Sequence, residues 1–191
     1  MRASVLVIAA LVAAASAGLV ARSLSRVGVH QGYAPEQPIA FPHKVHAGDN
    51  AIPCLYCHAA ARTSRHAGIP SASVCMNCHA LLAKQTVEIQ KLKETVAQQR
   101  PIAWVKVHNL PDFVYFNHSQ HVVSGVACQR CHGAVETMDR VQQVSPLTMG
   151  WCLGCHRAEA HVPTSSFGRV AANLMQRPTP FAGENCVSCH Y

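Results

Sequence analysis

The chain is 191 residues long, room for one ordinary domain or two small ones, which excludes a large multidomain enzyme. Aromatics make up 6% and charged residues 13%, beside 11 Gly and 11 Pro, so a conventional core would be thin; 10 Cys and 13 His point to disulfides, metal or haem in the interior. The net charge is +7, from 16 Lys and Arg against 9 Asp and Glu, and no run of five like charges occurs, which reads as a solvated basic surface and gives no reason for a nucleic-acid partner.

Residues 1–26 read as an N-terminal transmembrane anchor or an uncleaved signal-like segment. The 19 residues from Ala3 to Ala21 carry no charge, and as a helix they would span about 28 Å, close to a hydrocarbon core. The small residues Ala15, Ser16 and Ala17 also suit a cleaved signal peptide. A retained anchor is the expectation. Arg22 and Arg26 follow the segment and, by the positive-inside rule, argue against an outward-facing body. The cysteine chemistry below requires that outward location, and one Arg at each border is weak topological information. Residues 27–40 lack periodicity and read as a Gly/Pro/Gln linker.

Residues 41–191 read as one domain. It opens with Phe41-Pro-His43-Lys-Val-His46, followed by Cys54-Leu-Tyr-Cys57-His58 and Cys75-Met-Asn-Cys78-His79 in a unit spanning 41–82. A spacer helix is predicted over 83–101: Val87, Leu92 and Val96 mark its apolar face and Pro101 stops it. A second unit, 102–157, carries Phe116-Asn-His118-Ser-Gln-His121, Cys128-Gln-Arg-Cys131-His132 and Cys152-Leu-Gly-Cys155-His156. The segment 158–191 ends in Cys186-Val-Ser-Cys189-His190. Elsewhere Gly, Pro and Cys interrupt every apolar pattern, so short helices and loops with little or no sheet are expected.

Every cysteine therefore lies in one of five C-x-x-C-H motifs. Two thiols at this spacing form thioethers with the two vinyl groups of one haem, and the next residue's imidazole reaches the iron. Zinc ribbons would pair C-x-x-C units, which five units cannot do evenly, and leave each following histidine unexplained. Thioredoxin-like chemistry needs a single pair in a βαβ setting, and local disulfides again leave the histidines idle. The expected cofactor is five covalently bound haem c, with proximal ligands His58, His79, His132, His156 and His190.

Each iron has a second axial position. A spacing of three puts both imidazoles of a pair on one side of a helical turn, so His43 and His46 should serve two haems, and His118 and His121 two more. The arrangement repeats: His43 to His118 is 75 positions, Cys54 to Cys128 is 74 and Cys75 to Cys152 is 77. The fifth haem stands outside the repeat. Met149 is its leading distal candidate, and His161 the runner-up. His66 and His108 are expected to hydrogen-bond haem propionates or backbone, and His30 to be inert. Basic side chains are needed to seat the propionates, which absorbs much of the positive charge.

The runs IPCLYCH (52–58), CMNCH (75–79), LPDFVYFNHSQHV (110–122) and MGWCLGCHR (149–157) resemble the pentahaem cytochrome subunit of alternative complex III, over residues 39–190. The resemblance implies a multihaem c-type cytochrome related to the c3 and c7 types, anchored in the bacterial cytoplasmic membrane with its haems on the periplasmic side. It implies a quinol:acceptor oxidoreductase in which polytopic subunits bind quinol and an iron-sulfur subunit is a neighbour. Electrons would leave to a monohaem cytochrome c, a soluble carrier or a terminal oxidase. The six-haem subunit of menaquinol reductases of sulfate reducers is also similar, with one motif more.

Other functions stay open. A tetrahaem quinol dehydrogenase shares the single N-terminal helix but has a methionine where this chain has Ala60. A soluble multihaem shuttle would require cleavage near Ala17. Catalysis at a haem would need an open iron position, as the C-x-x-C-K of multihaem nitrite reductases provides, and that motif is absent from this sequence.

Overall fold

The computed structural model describes residues 2–82, 85–157 and 186–190. Among these the protein is helical: the only strand pairing is an isolated antiparallel bridge between Val114 and His190. His161 and most of the expected fifth-haem segment lie outside the described residues.

Helix α1, Arg2–Leu24, is apolar on every side. Its Ser4–Leu24 stretch is strongly apolar and exposed throughout. The helix continues three residues past the uncharged run because Arg22, Ser23 and Leu24 tolerate helical backbone. Its length and polarity are those that a membrane anchor and a signal sequence share.

The following segment is stitched to the body. Gln31 Nε2 donates to the Val144 carbonyl at 2.9 Å, and Gln37 exchanges two hydrogen bonds with the backbone of Val105. The hub is Gln143, fully buried. Its backbone pairs with Gly32 (2.7 Å) and Tyr33 (3.0 Å). Its side chain accepts from Asn109 N at 3.2 Å and donates to the Ser145 carbonyl at 3.1 Å, so every polar group of this buried residue is satisfied.

The short helices α2 (Cys54–Cys57), α3 (Ala72–His79), α4 (Val87–Ala97), α5 (His118–Val123), α6 (Gln129–His132) and α7 (Met149–Arg157) complete the α set, with a π-helical turn at Lys44–Asp49 and 3-10 turns at Ala59–Arg62, Val135–Thr137 and Cys186–Ser188. The two halves dock reciprocally. The turn bearing the first histidine pair packs on Val135–Thr137, just after the third motif, and Lys44 N donates to the Met138 carbonyl at 3.0 Å. Helix α5, bearing the second pair, packs on Ala59–Arg62, just after the first motif, and Ser119 N and His118 N donate to the carbonyls of Ser64 and Arg65 at 3.2 Å each. Each half thus supplies backbone to position the other's histidines. Two glycines permit the approach. A Cβ on Gly48 would overlap the Glu136 carbonyl oxygen, and Gly133 has φ +74° with Val144 Cγ2 2.7 Å from where its Cβ would stand.

Helix α4 begins at Val87, later than the predicted start at 83. Thr86 is extended and its hydroxyl accepts from Ile89 N at 3.3 Å, an N-cap that ends the preceding segment. Val87 is 66% exposed and so is not part of the inner face. Ile89, Leu92 and Val96 follow the helical i, i+3, i+7 spacing, whereas Val87 to Leu92 is five positions and falls off it. The buried apolar side chains among the described residues are Ile39, Ala61 and Leu92. With so little core, Leu92→Ala should destabilise the body by about 2 kcal/mol or more, while Val87→Ala should stay within about 0.5 kcal/mol. Denaturant unfolding of the two variants checks this; equal losses would contradict the placement of the inner face.

Candidate haem centres

Both F-x-H-x-x-H segments build the same local arrangement. Phe41 lies edge-on to His43 (ring centroids 4.9 Å, 89°) and nearly parallel to His46 (4.2 Å, 26°). Phe116 repeats this with His118 (4.8 Å, 85°) and His121 (4.6 Å, 32°). The second histidine of each pair also makes the same bond: Nδ1 donates four residues back, His46 to the Pro42 carbonyl at 3.0 Å and His121 to the Asn117 carbonyl at 2.9 Å. A carbonyl only accepts, so Nδ1 carries the proton and Nε2 keeps the lone pair that a metal needs. His58 and His118 are fixed alike, through the carbonyls of Gly68 (2.7 Å) and Arg65 (2.9 Å).

The imidazoles of the pairs stand opposite imidazoles of the motifs. His46 faces His79 at 6.1 Å between ring centroids, His121 faces His156 at 6.1 Å, and His118 faces His132 at 6.4 Å with the rings within 10° of parallel. Two axial imidazoles with each nitrogen about 2 Å from one iron have centroids about 6 Å apart. His43 has His58 as its strongest electrostatic neighbour; burial first, then that imidazole, pushes its pKa down to about 4. Burial, then His108 and His118, likewise pushes His132 down to about 4, and burial lowers His79, His108 and His121. Each of these shifts favours the neutral imidazole, the form that ligates. Nδ1 of His43 and of His79 is buried without a protein hydrogen-bond partner, so each ring keeps a nitrogen that the polypeptide does not satisfy.

None of the ten cysteines is in a disulfide. Each C-x-x-C stretch is a single helical turn, placing its two sulfurs on one side with the histidine one position on. Burial is the main cause that raises the thiols of Cys57, Cys75, Cys128, Cys131 and Cys152 above their ordinary value. Neighbouring thiols are the next cause, and they order the motifs in space. Cys57 of the first motif lies near Cys75 and Cys78 of the second. Cys128 of the third neighbours Cys54 of the first, Cys131 neighbours Cys152 and Cys155 of the fourth, and Cys152 neighbours Cys189 of the fifth. The order is second, first, third, fourth, fifth, with the first and third motifs at the junction of the halves. The fifth is held against the second half by Tyr115 N donating to the Cys189 carbonyl at 2.7 Å, and by Phe113 stacked 5.7 Å from His190. Opposed neutral imidazoles, pinned tautomers, paired thiols and a core of few apolar side chains all fit haem c.

Not every expected residue is placed so clearly. Met149 opens α7 with its side chain 65% exposed, and His161 lies outside the described residues. His66 and His30 are exposed. His108, expected to serve propionates or backbone, lies with Nε2 3.2 Å from Nδ1 of His132. A signal existed in the repeat: ten positions before His118 stands His108, but ten before His43 stands Tyr33, so this histidine belongs to one half only.

These sites resemble those of multihaem c-type cytochromes. Residues 114–191 match the family described as cytochrome c7 and related cytochrome c. The chain is also 36% identical over 98 residues to the multiheme cytochrome c subunit of menaquinone reductase from Nitratidesulfovibrio vulgaris. That alignment covers 51% of this chain and 46% of the relative, so the chain spans about half the length of the curated relative it matches.

Proposed function

We propose that this chain is the electron-carrier subunit of a membrane quinol:acceptor oxidoreductase, of the alternative complex III type, and is not an enzyme on its own. The observation that carries the reading is the set of opposed imidazoles at 6.1–6.4 Å, a spacing at which two imidazoles would hold one haem iron between them. Haem c bound there supplies one-electron redox chemistry at an iron with no position open to substrate. The ten motif cysteines would hold five haems by thioethers. Their irons would be held by His58 with His43, His79 with His46, His132 with His118, His156 with His121, and His190 with Met149, His161 being the alternative to Met149. The carbonyl-pinned Nδ1 protons of His46, His58, His118 and His121 keep their Nε2 atoms aimed, and the phenylalanines Phe41 and Phe116 hold the rings of each pair in place.

The sequence runs at 52–58, 75–79, 110–122 and 149–157 favour alternative complex III, and with it iron-sulfur and polytopic quinol-binding partners. The similarity to a menaquinone reductase subunit favours a second reading, a quinone-reducing complex in which the same wire runs the other way. Both readings set the chain in a bacterial cytoplasmic membrane, with α1 as its anchor and the haems on the periplasmic side, because haem attachment to C-x-x-C-H occurs there. Within Ser4–Ala21 the only side-chain hydroxyls are Ser4 and Ser16, and no residue there is ionisable. Quinol oxidation releases protons and needs an acceptor group near the headgroup, so the anchor alone does not form such a site.

Haem content and ligation are the first check. A pyridine haemochrome assay should give about five haems per chain, one per motif, and His121→Ala should keep that count while turning one iron high-spin. Three haems or fewer in matured protein, or a wholly low-spin variant, contradicts the assignment. Reconstitution tests the function. The full haem-loaded chain in liposomes should not be reduced by a ubiquinol or menaquinol analogue until its polytopic partners are restored; rapid, inhibitor-sensitive reduction of the chain alone would overturn the subunit reading.

A further inference from the structure

His108 occupies a position that neither haem attachment nor axial ligation requires. Its ring stands nearly perpendicular to that of His132, centroids 4.3 Å apart at 78°, with Nε2 3.2 Å from Nδ1 of His132. His46, His58, His118 and His121 use backbone carbonyls at the corresponding nitrogen. His132 differs from these four in facing a basic ring nitrogen. The placement is built in: the adjacent Asn109 N is held by Oε1 of the fully buried Gln143, which also anchors Gly32 and Tyr33. His132 lies at the junction of the two halves, beside the thiols that join the first motif to the third.

A ligating imidazole that donates its second N–H to a good acceptor gives more electron density to its metal and is held in one ring plane. A ring nitrogen accepts that proton more strongly than an amide carbonyl does, which favours the oxidised iron. We propose that His108 is a positioning residue for His132: it accepts the Nδ1 proton, fixes the tautomer and ring plane that His118 opposes, and lowers the reduction potential of the third motif's haem below what a carbonyl acceptor would set. This rests on the reading of Cys128-Gln-Arg-Cys131-His132 as a haem site.

The test uses the full, haem-loaded chain and an EPR-monitored redox titration of the wild type, H108L and H108Q. In H108L the haem count should be unchanged, while one low-spin signal changes its g-values and its oxidised-to-reduced ratio at fixed potential falls about tenfold, about 59 mV for one electron. H108Q, whose amide oxygen accepts the same proton less strongly than a ring nitrogen, should bring back the wild-type g-values but reverse only part of that shift. Wild-type titration of H108L, or equal movement of every low-spin signal, overturns the proposal. Should H108L fail to mature, H108A takes its place under the same criteria. The double variant C128A/C131A tests the underlying site separately: loss of one haem upholds it, and an unchanged count removes the site and the proposal together.

Discussion

An imidazole has two nitrogens, and it can present a lone pair outward in a fixed direction only if the other nitrogen is committed. This chain commits Nδ1 to a backbone carbonyl at His46, His58, His118 and His121, at distances of 2.7 to 3.0 Å. Much of the local structure serves that constraint. The carbonyls four residues back from His46 and His121 are in reach because the intervening backbone is a helical turn. The carbonyls that serve His58 and His118 belong to the loop after the first motif, which α5 reaches only by crossing into the other half.

That crossing explains why the halves are not independent beads. The first pair leans on the segment after the third motif and the second pair on the segment after the first, so the first and third motifs meet back to back. Glycine is required where the chains come closest, at Gly48 against Glu136 and at Gly133 against Val144. Protein-to-protein apolar packing contributes little, since Ile39, Ala61 and Leu92 are the buried apolar side chains among the described residues. In the proposed holoprotein the interior would be filled by porphyrin, and folding would be coupled to haem attachment, as metal sites couple to the folding of small domains.

Much of this is legible in the sequence, because covalent haem chemistry writes itself in contiguous residues. Cysteine spacing, the F-x-H-x-x-H repeat and the apolar N-terminal run are local signals, and the helical, sheet-poor fold follows from the Gly, Pro and Cys that break every longer pattern. Less legible are features that depend on distant residues. The start of α4 moves to Val87 because a threonine cap outweighs the apolar pattern. The role of Gln143 joins residues over a hundred positions apart, and glutamine carries no motif. His108 is visible as a histidine without a counterpart in the first half, but its partner His132 is 24 positions away and only the folded backbone brings them together.

The central claim is that each histidine pair divides its two imidazoles between two irons, so that the four haems of the repeat are all closed by nitrogen on both faces. Near-infrared magnetic circular dichroism of the oxidised, fully matured chain measures this directly, because bis-imidazole, imidazole-thioether and high-spin haems absorb at different energies. The account predicts the bis-imidazole band at an intensity of about four haems per chain, with the fifth haem alone free to differ. A bis-imidazole intensity of two haems or fewer, with the remainder high-spin or thioether-ligated, would contradict it.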